Sequence, residues 1–364
     1  MGHINKTLEA SFNSANNSNK TPVAADNFLD AGRCVIPEWV VYLYFVFIGL
    51  GAVVNMIHFL ALARCRKNGT LTLIMQLSCV DLLSPYIAVV EIIALNNQAW
   101  IFSSENCPLF NGVEVLLNSL MIWLIICLNF HRRRITQTRS HPARMNRTNA
   151  WLPKKETANR TLNIDYRKRR NDISVIVPVI LIVFVCFSLS IPNFALSSTL
   201  KINKGNVLCA ILNHYYGRIL QKLLLTFRVL VPVPLLLFTF VVLIVKFLQT
   251  SPKDIDNILI QKFAEVRHVL LFCITITTCY TITSFQRNVL YFLHGIFYDF
   301  ETTNRVIFEA PPLYNDQLNK STAVYLSMLH YSGITYRAFL HLFALPKFQS
   351  LIKSKIFVCC KPKE

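Results

Sequence analysis

The chain has 364 residues, 53% of them hydrophobic and only 15% charged. A soluble globular domain carries about 25% charged residues, so much of this surface has to face something other than water. The formal net charge of +18 would suit nucleic acid in a soluble protein, but here it gathers in short segments between apolar stretches, a pattern of membrane topology.

Residues 1–36 form a polar tail with glycosylation sequons at Asn5, Asn16 and Asn19, which are used on the extracellular side. No basic start followed by an apolar run precedes them, so the first spanning helix is expected to direct insertion. Seven stretches are long and apolar enough to span, at 38–64, 70–96, 107–134, 173–198, 221–249, 266–297 and 321–345. They predict an all-α membrane protein: a seven-transmembrane bundle over 37–345, then a cytoplasmic amphipathic helix and tail over 346–364. The first connection holds Arg64, Arg66 and Lys67, and segment 132–170 holds 13 Lys or Arg against Glu156 and Asp165. The tail adds Lys347, Lys353, Lys355, Lys361 and Lys363. By the positive-inside rule these face the cytosol and the N-terminus lies outside, as in a multi-pass plasma-membrane protein. The second inner loop, 135–170, is unusually long and reads as solvated.

Polar residues inside the spans carry the functional hints. The first span has Gly49, Gly51 and Asn55, suited to close helix approach and an interhelical hydrogen bond. The second has Asp81, Pro85 and then Glu91, ten residues after Asp81 and on roughly the same side. The third runs from Cys107 to Arg132, a rise of ~37 Å at ~1.5 Å per residue. Glu114 lies about two turns in from Cys107, on nearly the same side. Arg228 precedes Pro232 and Pro234 by about one turn in the fifth, and the sixth carries Tyr280, Gln286 and Arg287. Of the cysteines, Cys34, Cys107 and Cys209 face the oxidising side. We pair Cys107, at the head of the third span, with Cys209, midway along the second outer loop, and leave Cys34 over.

The ordered landmarks resemble those of rhodopsin-like (class A) G-protein-coupled receptors. They are Asn55 in the first span, Leu77-x-x-x-Asp81 in the second, Trp100-Ile101-Phe102 with Cys107 seven after the Trp, and Arg132 at 25 residues after Cys107. The resemblance covers about residues 37–360. The sixth span has Cys279-Tyr280-Thr281-Ile282 where the family has Cys-Trp-x-Pro, and the seventh has Ser332-Gly333-Ile334-Thr335-Tyr336 where it has Asn-Pro-x-x-Tyr.

The resemblance implies an outer ligand site, an activation core and an inner coupling site. Glu114 resembles the family's acidic position that meets cationic ligands, and Glu91, Asn118, Arg228, Gln286 and Arg287 are candidates for the same outer half. Glu91 and Glu114 either pair with Arg228 or Arg287 or face a watery pocket. Both signs together favour an extracellular peptide, as in a neuropeptide receptor, over a small cationic amine. Asn55, Asp81, Tyr280, Ser332 and Tyr336 make up the activation core. Asp81 matches the family's sodium-site carboxylate, but we expect it to bond with Asn55 or Ser332. Arg132 would meet a heterotrimeric G protein, and since His131 cannot neutralise it, Glu265 is proposed as its resting partner. Cys359 and Cys360 are candidates for palmitoylation.

No hydrolytic, phosphate-binding or metal signature is present, so neither an enzyme nor a metal or other cofactor is expected. Two rivals stay open: a seven-span receptor that binds ligand without coupling, and a transporter or channel, for which internal repeats and a charged route through the bilayer are missing.

Overall fold

The computed structural model describes residues 36–63, 69–97, 99–146, 175–203, 206–211, 215–249, 257–297 and 320–344. Helix α1, Glu38–Ala63, starts directly after Pro37, with Glu38 in its first turn, where a carboxylate meets the positive end of the helix dipole. Helix α2 is Gly69–Asn97 and contains Pro85. Proline has no N–H, so the carbonyl of Asp81 loses its helical partner there. Nearby, the Ser84 hydroxyl donates to Val80 O at 2.7 Å. Helix α3, Asn106–Asn146, continues past the expected end at Arg134 into the segment read as loop. Helix α4 is Ile176–Leu196.

The chain is mostly helical, as an all-α membrane protein is, and the connection after α4 adds one short hairpin. Strands β1, Ser197–Asn203, and β2, Asn206–Ile211, pair antiparallel with Thr199 opposite Cys209. Helix α5, Tyr215–Leu225, then passes through a π turn at Thr226–Leu230 into α6, Pro232–Gln249. The prolines explain this turn. Pro232 cannot donate, and Val231 N–H donates five residues back to Thr226 O at 3.0 Å. Trp123 Nε1 of α3 donates to the carbonyl of Phe227 at 3.2 Å. Helices α7, Asn257–Phe297, and α8, Lys320–Ala344, complete the order.

Among the described residues, five helices are long and apolar enough to cross a membrane: α1, α2, the Asn106–His131 part of α3, α4 and Lys222–Gln249. These make the chain a multi-pass membrane protein. Helices α7 and α8 are as long but more polar, the first rich in threonine, the second carrying Ser327, His330 and Arg337. The spans of α2 and α3 are mostly buried within the protein, whereas only 22% of the spans of α1 and α4 is buried. The exposed side chains of α1 include Trp39, Val46 and Val53, and those of α4 include Val177, Leu181 and Phe184. Such apolar faces suit hydrocarbon and would be unstable in water.

Lipid removes the hydrophobic drive between helices, so close packing and hydrogen bonds join them. Along α1 and α8, Tyr44 donates its hydroxyl to Met328 O, and Thr335 donates to Phe47 O at 3.0 Å. Gly51 allows this approach: a Cβ there would lie 2.8 Å from Thr335 Cα. Gly49 has nothing within 4 Å of the same position. Gly51→Ala is therefore expected to cost about 1–3 kcal/mol by overpacking, while Gly49→Ala is neutral or slightly stabilising. Thermal unfolding of the purified protein in detergent checks the contrast, and equal midpoints for the two variants would count against the packing.

Candidate functional site

At one end of α3, Cys107 is bonded to Cys209, with their Cα atoms 5.5 Å apart. The bond fastens β2 to the head of α3. Asn111 Nδ2 lies 3.3 Å from Cys209 Sγ, and Trp100 N–H donates to Val207 O at 2.7 Å. Trp100 itself is buried, its ring 5.2 Å from Phe102 and 5.6 Å from Phe110 between centroids.

Below this cap lies a buried cluster of two carboxylates and two guanidiniums drawn from separate helices. Glu114 of α3 accepts from Arg228 Nη2 at 2.6 Å and Nη1 at 3.2 Å, from Arg287 Nη2 at 2.9 Å and from Asn118 Nδ2 at 2.7 Å. Glu91 of α2 accepts from the same Arg287 Nη2 at 2.9 Å, from Ser327 at 2.8 Å and from the Tyr331 hydroxyl at 2.6 Å. The Arg287 guanidinium also lies over the Tyr331 ring, 5.4 Å from its centroid. Arg228 lies within the π turn Thr226–Leu230, which Pro232 permits, and this places it in the group. A lone charge at bilayer depth costs roughly 2.5–3.5 kcal/mol, and pairing offsets that cost for all four.

The network continues through a defined proton order. Asn118 Nδ2 donates to Glu114, so its Oδ1 is the acceptor facing His330 Nε2 at 3.0 Å. In the neutral ring, that leaves His330 Nδ1 to accept from Ser284 Oγ at 3.1 Å. The structure thus brings together Glu91, Glu114, Asn118, Arg228 and Arg287. Gln286 is left out: it is exposed, turned away by the 100° step from Arg287. Ser327, Tyr331, His330 and Ser284 were not singled out in the sequence. Ser327 and Tyr331 are four apart on α8, a spacing that puts two donors on one helix face.

A second buried ion pair lies toward the other end of α3. Asp81 is fully buried and accepts from Arg337 Nε at 3.2 and 3.0 Å and from Nη2 at 2.6 Å. This corrects the expected partners. Asn55 instead donates to Ile334 O at 3.3 Å, and Ser332 donates to Leu329 O at 2.6 Å. The stronger, bidentate guanidinium takes the carboxylate from the neutral candidates. Gly333 makes room for this arginine: a Cβ there would meet Arg337 Nη1 at 2.7 Å. Tyr336, also a candidate for the activation core, stands apart from this pair. It is 50% exposed and packs edge-on against Phe47 at 5.9 Å, on the outside of the bundle, because turning Arg337 inward turns its neighbour out. Tyr280 is buried. The missed signal at Arg337 was a formal charge inside an otherwise mostly uncharged helix.

Arg132 and Glu265 fall on the backbones of α3 and α7, but their side chains lie outside the described residues, as do Asn5, Asn16, Asn19, Cys359 and Cys360 entirely. Among the described residues, no group of three or more His, Cys, Asp or Glu is placed to hold a metal ion.

No family model matches the chain, and no curated protein matches it. Function therefore has to be argued from the site.

Removing one partner of a buried ion pair leaves an uncompensated charge and costs about 3–5 kcal/mol. Asp81→Asn and Arg337→Met are each expected to lose that much stability, while the double variant recovers most of it. Thermal unfolding of all three in detergent checks this, and additive losses in the double variant would show that the pair is not coupled.

Proposed function

We propose that the chain is a non-enzymatic receptor of the rhodopsin-like class, a seven-helix bundle in the plasma membrane with its N-terminus outside. It senses an extracellular ligand, a peptide in preference to an amine, and activates a heterotrimeric G protein. The observation that carries this reading is the Glu91–Arg287–Glu114–Arg228 cluster, which joins α2, α3, the π turn, α7 and, through Ser327 and Tyr331, α8. It lies on the same side of the bundle as the disulfide-anchored hairpin.

A ligand acts on such a site by exchange. A carboxylate or carbonyl on the ligand competes with Glu114 for Arg228, and a basic group competes with an arginine for a carboxylate. Either exchange breaks bonds that hold α7 to α2 and α3. The ligand then favours another arrangement of α7 to the extent that it binds that arrangement more tightly. Both acids are already well supplied with donors, so a simple amine has to displace a guanidinium. A peptide, with groups of both signs, can replace both members of a broken pair.

Two observations favour a second reading, a receptor that binds without coupling. Tyr336 faces outward and Asp81 is held by Arg337, so the α8 side chains differ in placement from those the resemblance implies.

The test is a screen of peptides and amines on cells expressing the chain, read by G-protein activation sensors. A peptide response is expected, and Glu114→Gln and Arg228→Gln should each lower its potency at least tenfold while surface expression persists. A response unchanged in both variants would remove the cluster from the ligand site. Specific binding with no activation in reconstituted membranes would establish the second reading.

A further inference from the structure

Helices α1 and α8 lie side by side, and their contacts advance in step. Tyr44 meets Met328, Gly51 meets Thr335, and His58 meets His341. On α1 these positions are seven apart, which returns the chain to within about 20° of the same face. A hydrogen bond closes the first contact and backbone approach the second. The third differs in kind. It sets two imidazoles against each other, with ring centres 5.6 Å apart and planes inclined at 57°. His58 is five residues from the end of α1 at Ala63, and His341 is three from the end of α8 at Ala344. The pair therefore lies within about two turns of both helix ends.

Both histidines are fully buried. The side toward α7 is apolar, with the Phe272 ring on His341 at 5.6 Å between centroids. A neutral imidazole carries one donor and one acceptor. Neither nitrogen of His341 has a hydrogen-bond partner among the described residues, so no bond joins the two rings directly. Leaving such groups unmet in apolar surroundings is unfavourable. Packing alone does not account for a histidine here, since an apolar ring fills such space without that penalty, as Phe272 does beside it.

One ion between the rings satisfies a nitrogen of each. A transition metal sits about 2.0–2.1 Å from an imidazole nitrogen, which puts two such rings roughly 5–6.5 Å apart between centres, from bent to linear coordination. The observed separation falls inside that range. The donor type narrows the choice of ion. Imidazole suits zinc and copper, whereas calcium and magnesium require oxygen. No third His, Cys, Asp or Glu joins the pair among the described residues, so any further position on the ion falls to water or an anion.

We propose that His58 and His341 form a two-imidazole site for a zinc or copper ion, which clips α1 to α8 at their Ala63 and Ala344 ends. The ion completes a seam whose other contacts, at Tyr44, Gly51 and Asn55, are uncharged. Its removal frees the helix ends and leaves the Asp81–Arg337 pair, one turn before His341 on α8, in place. The site is independent of the outer charged cluster and of any ligand that cluster takes.

The experiment uses the full chain, purified with a tag that carries no histidine, stripped with a chelator and held in nanodiscs. Zinc and, under ascorbate, copper(I) are titrated separately, with magnesium as the control. The tighter of the two identifies the ion. His58→Phe and His341→Phe each keep a ring and remove a ligand. Each is expected to weaken binding at least about tenfold, since losing even an outer contact of a metal ligand costs about 10–100-fold. The ion is also expected to raise the unfolding temperature of the unsubstituted chain and of neither variant. Binding of equal strength in either variant marks an adventitious surface ion and overturns the proposal, as does no saturable binding of zinc or copper. Should the variants fail to fold, one equivalent of copper(II) is added to the unsubstituted chain and its electron spin echo modulation counts the coordinated imidazoles. Two are expected, and one or none overturns the site equally.

Discussion

A guanidinium cannot sit alone in hydrocarbon, and three are buried among the described residues. Arg228, Arg287 and Arg337 each meet a carboxylate at 2.6 to 2.9 Å, and each pair links different helices. In lipid, apolar side chains gain little by leaving the solvent for one another, so charges become the contacts with the strongest preference for one arrangement. Among the described residues, three acids and three bases leave no net charge in these pairs, and the bidentate geometry of Arg228 and Arg337 fixes direction as well as distance. Such pairs are weak evidence of high stability, because well-packed apolar side chains would often do as well. Their better-supported role is to allow one helix register and to penalise the others.

Much of the helical plan was legible in the amino-acid sequence, because an apolar run of more than twenty residues has few alternatives. The buried charges were legible for the same reason: Glu91, Glu114, Arg228 and Arg287 stand out in apolar surroundings. What could not be read was the rotation of each helix about its axis. Gln286 and Arg287 are neighbours, yet one is exposed and the other buried. Tyr336 drew attention through its place in a motif, while Arg337 beside it holds Asp81. A register that differs by one residue exchanges such neighbours, and no local pattern in an apolar helix settles it. The π turn at Thr226–Leu230 adds an irregular step that Pro232 permits but does not announce. The hairpin was in fact signalled, by the alternation Leu200-Lys201-Ile202-Asn203 and by Gly205-Asn206 at its turn, but it sits between two long apolar runs that dominate the local pattern.

The three polar groups are unequal in what they fasten. Helices α2 and α8 share two of them, Asp81 with Arg337 at one level and Glu91 with Ser327 and Tyr331 at another. Two anchor points along a shared seam resist both sliding and rotation, and Gly51 brings α1 onto α8 close to the first. Helices α1, α2 and α8 therefore behave as the fixed part of the bundle. Helix α3 is fastened at its head by the disulfide and lower down by Glu114.

Helix α7 is held differently. Its charged anchor is at Arg287, and ten residues away Thr277 makes a neutral hydrogen bond to Asn129 in the middle of a threonine-rich stretch. The anchor itself, Arg287, is the residue shared by both carboxylates of the charged cluster. One helix thus touches both the charged cluster, through Arg287, and Asn129 of α3, through Thr277.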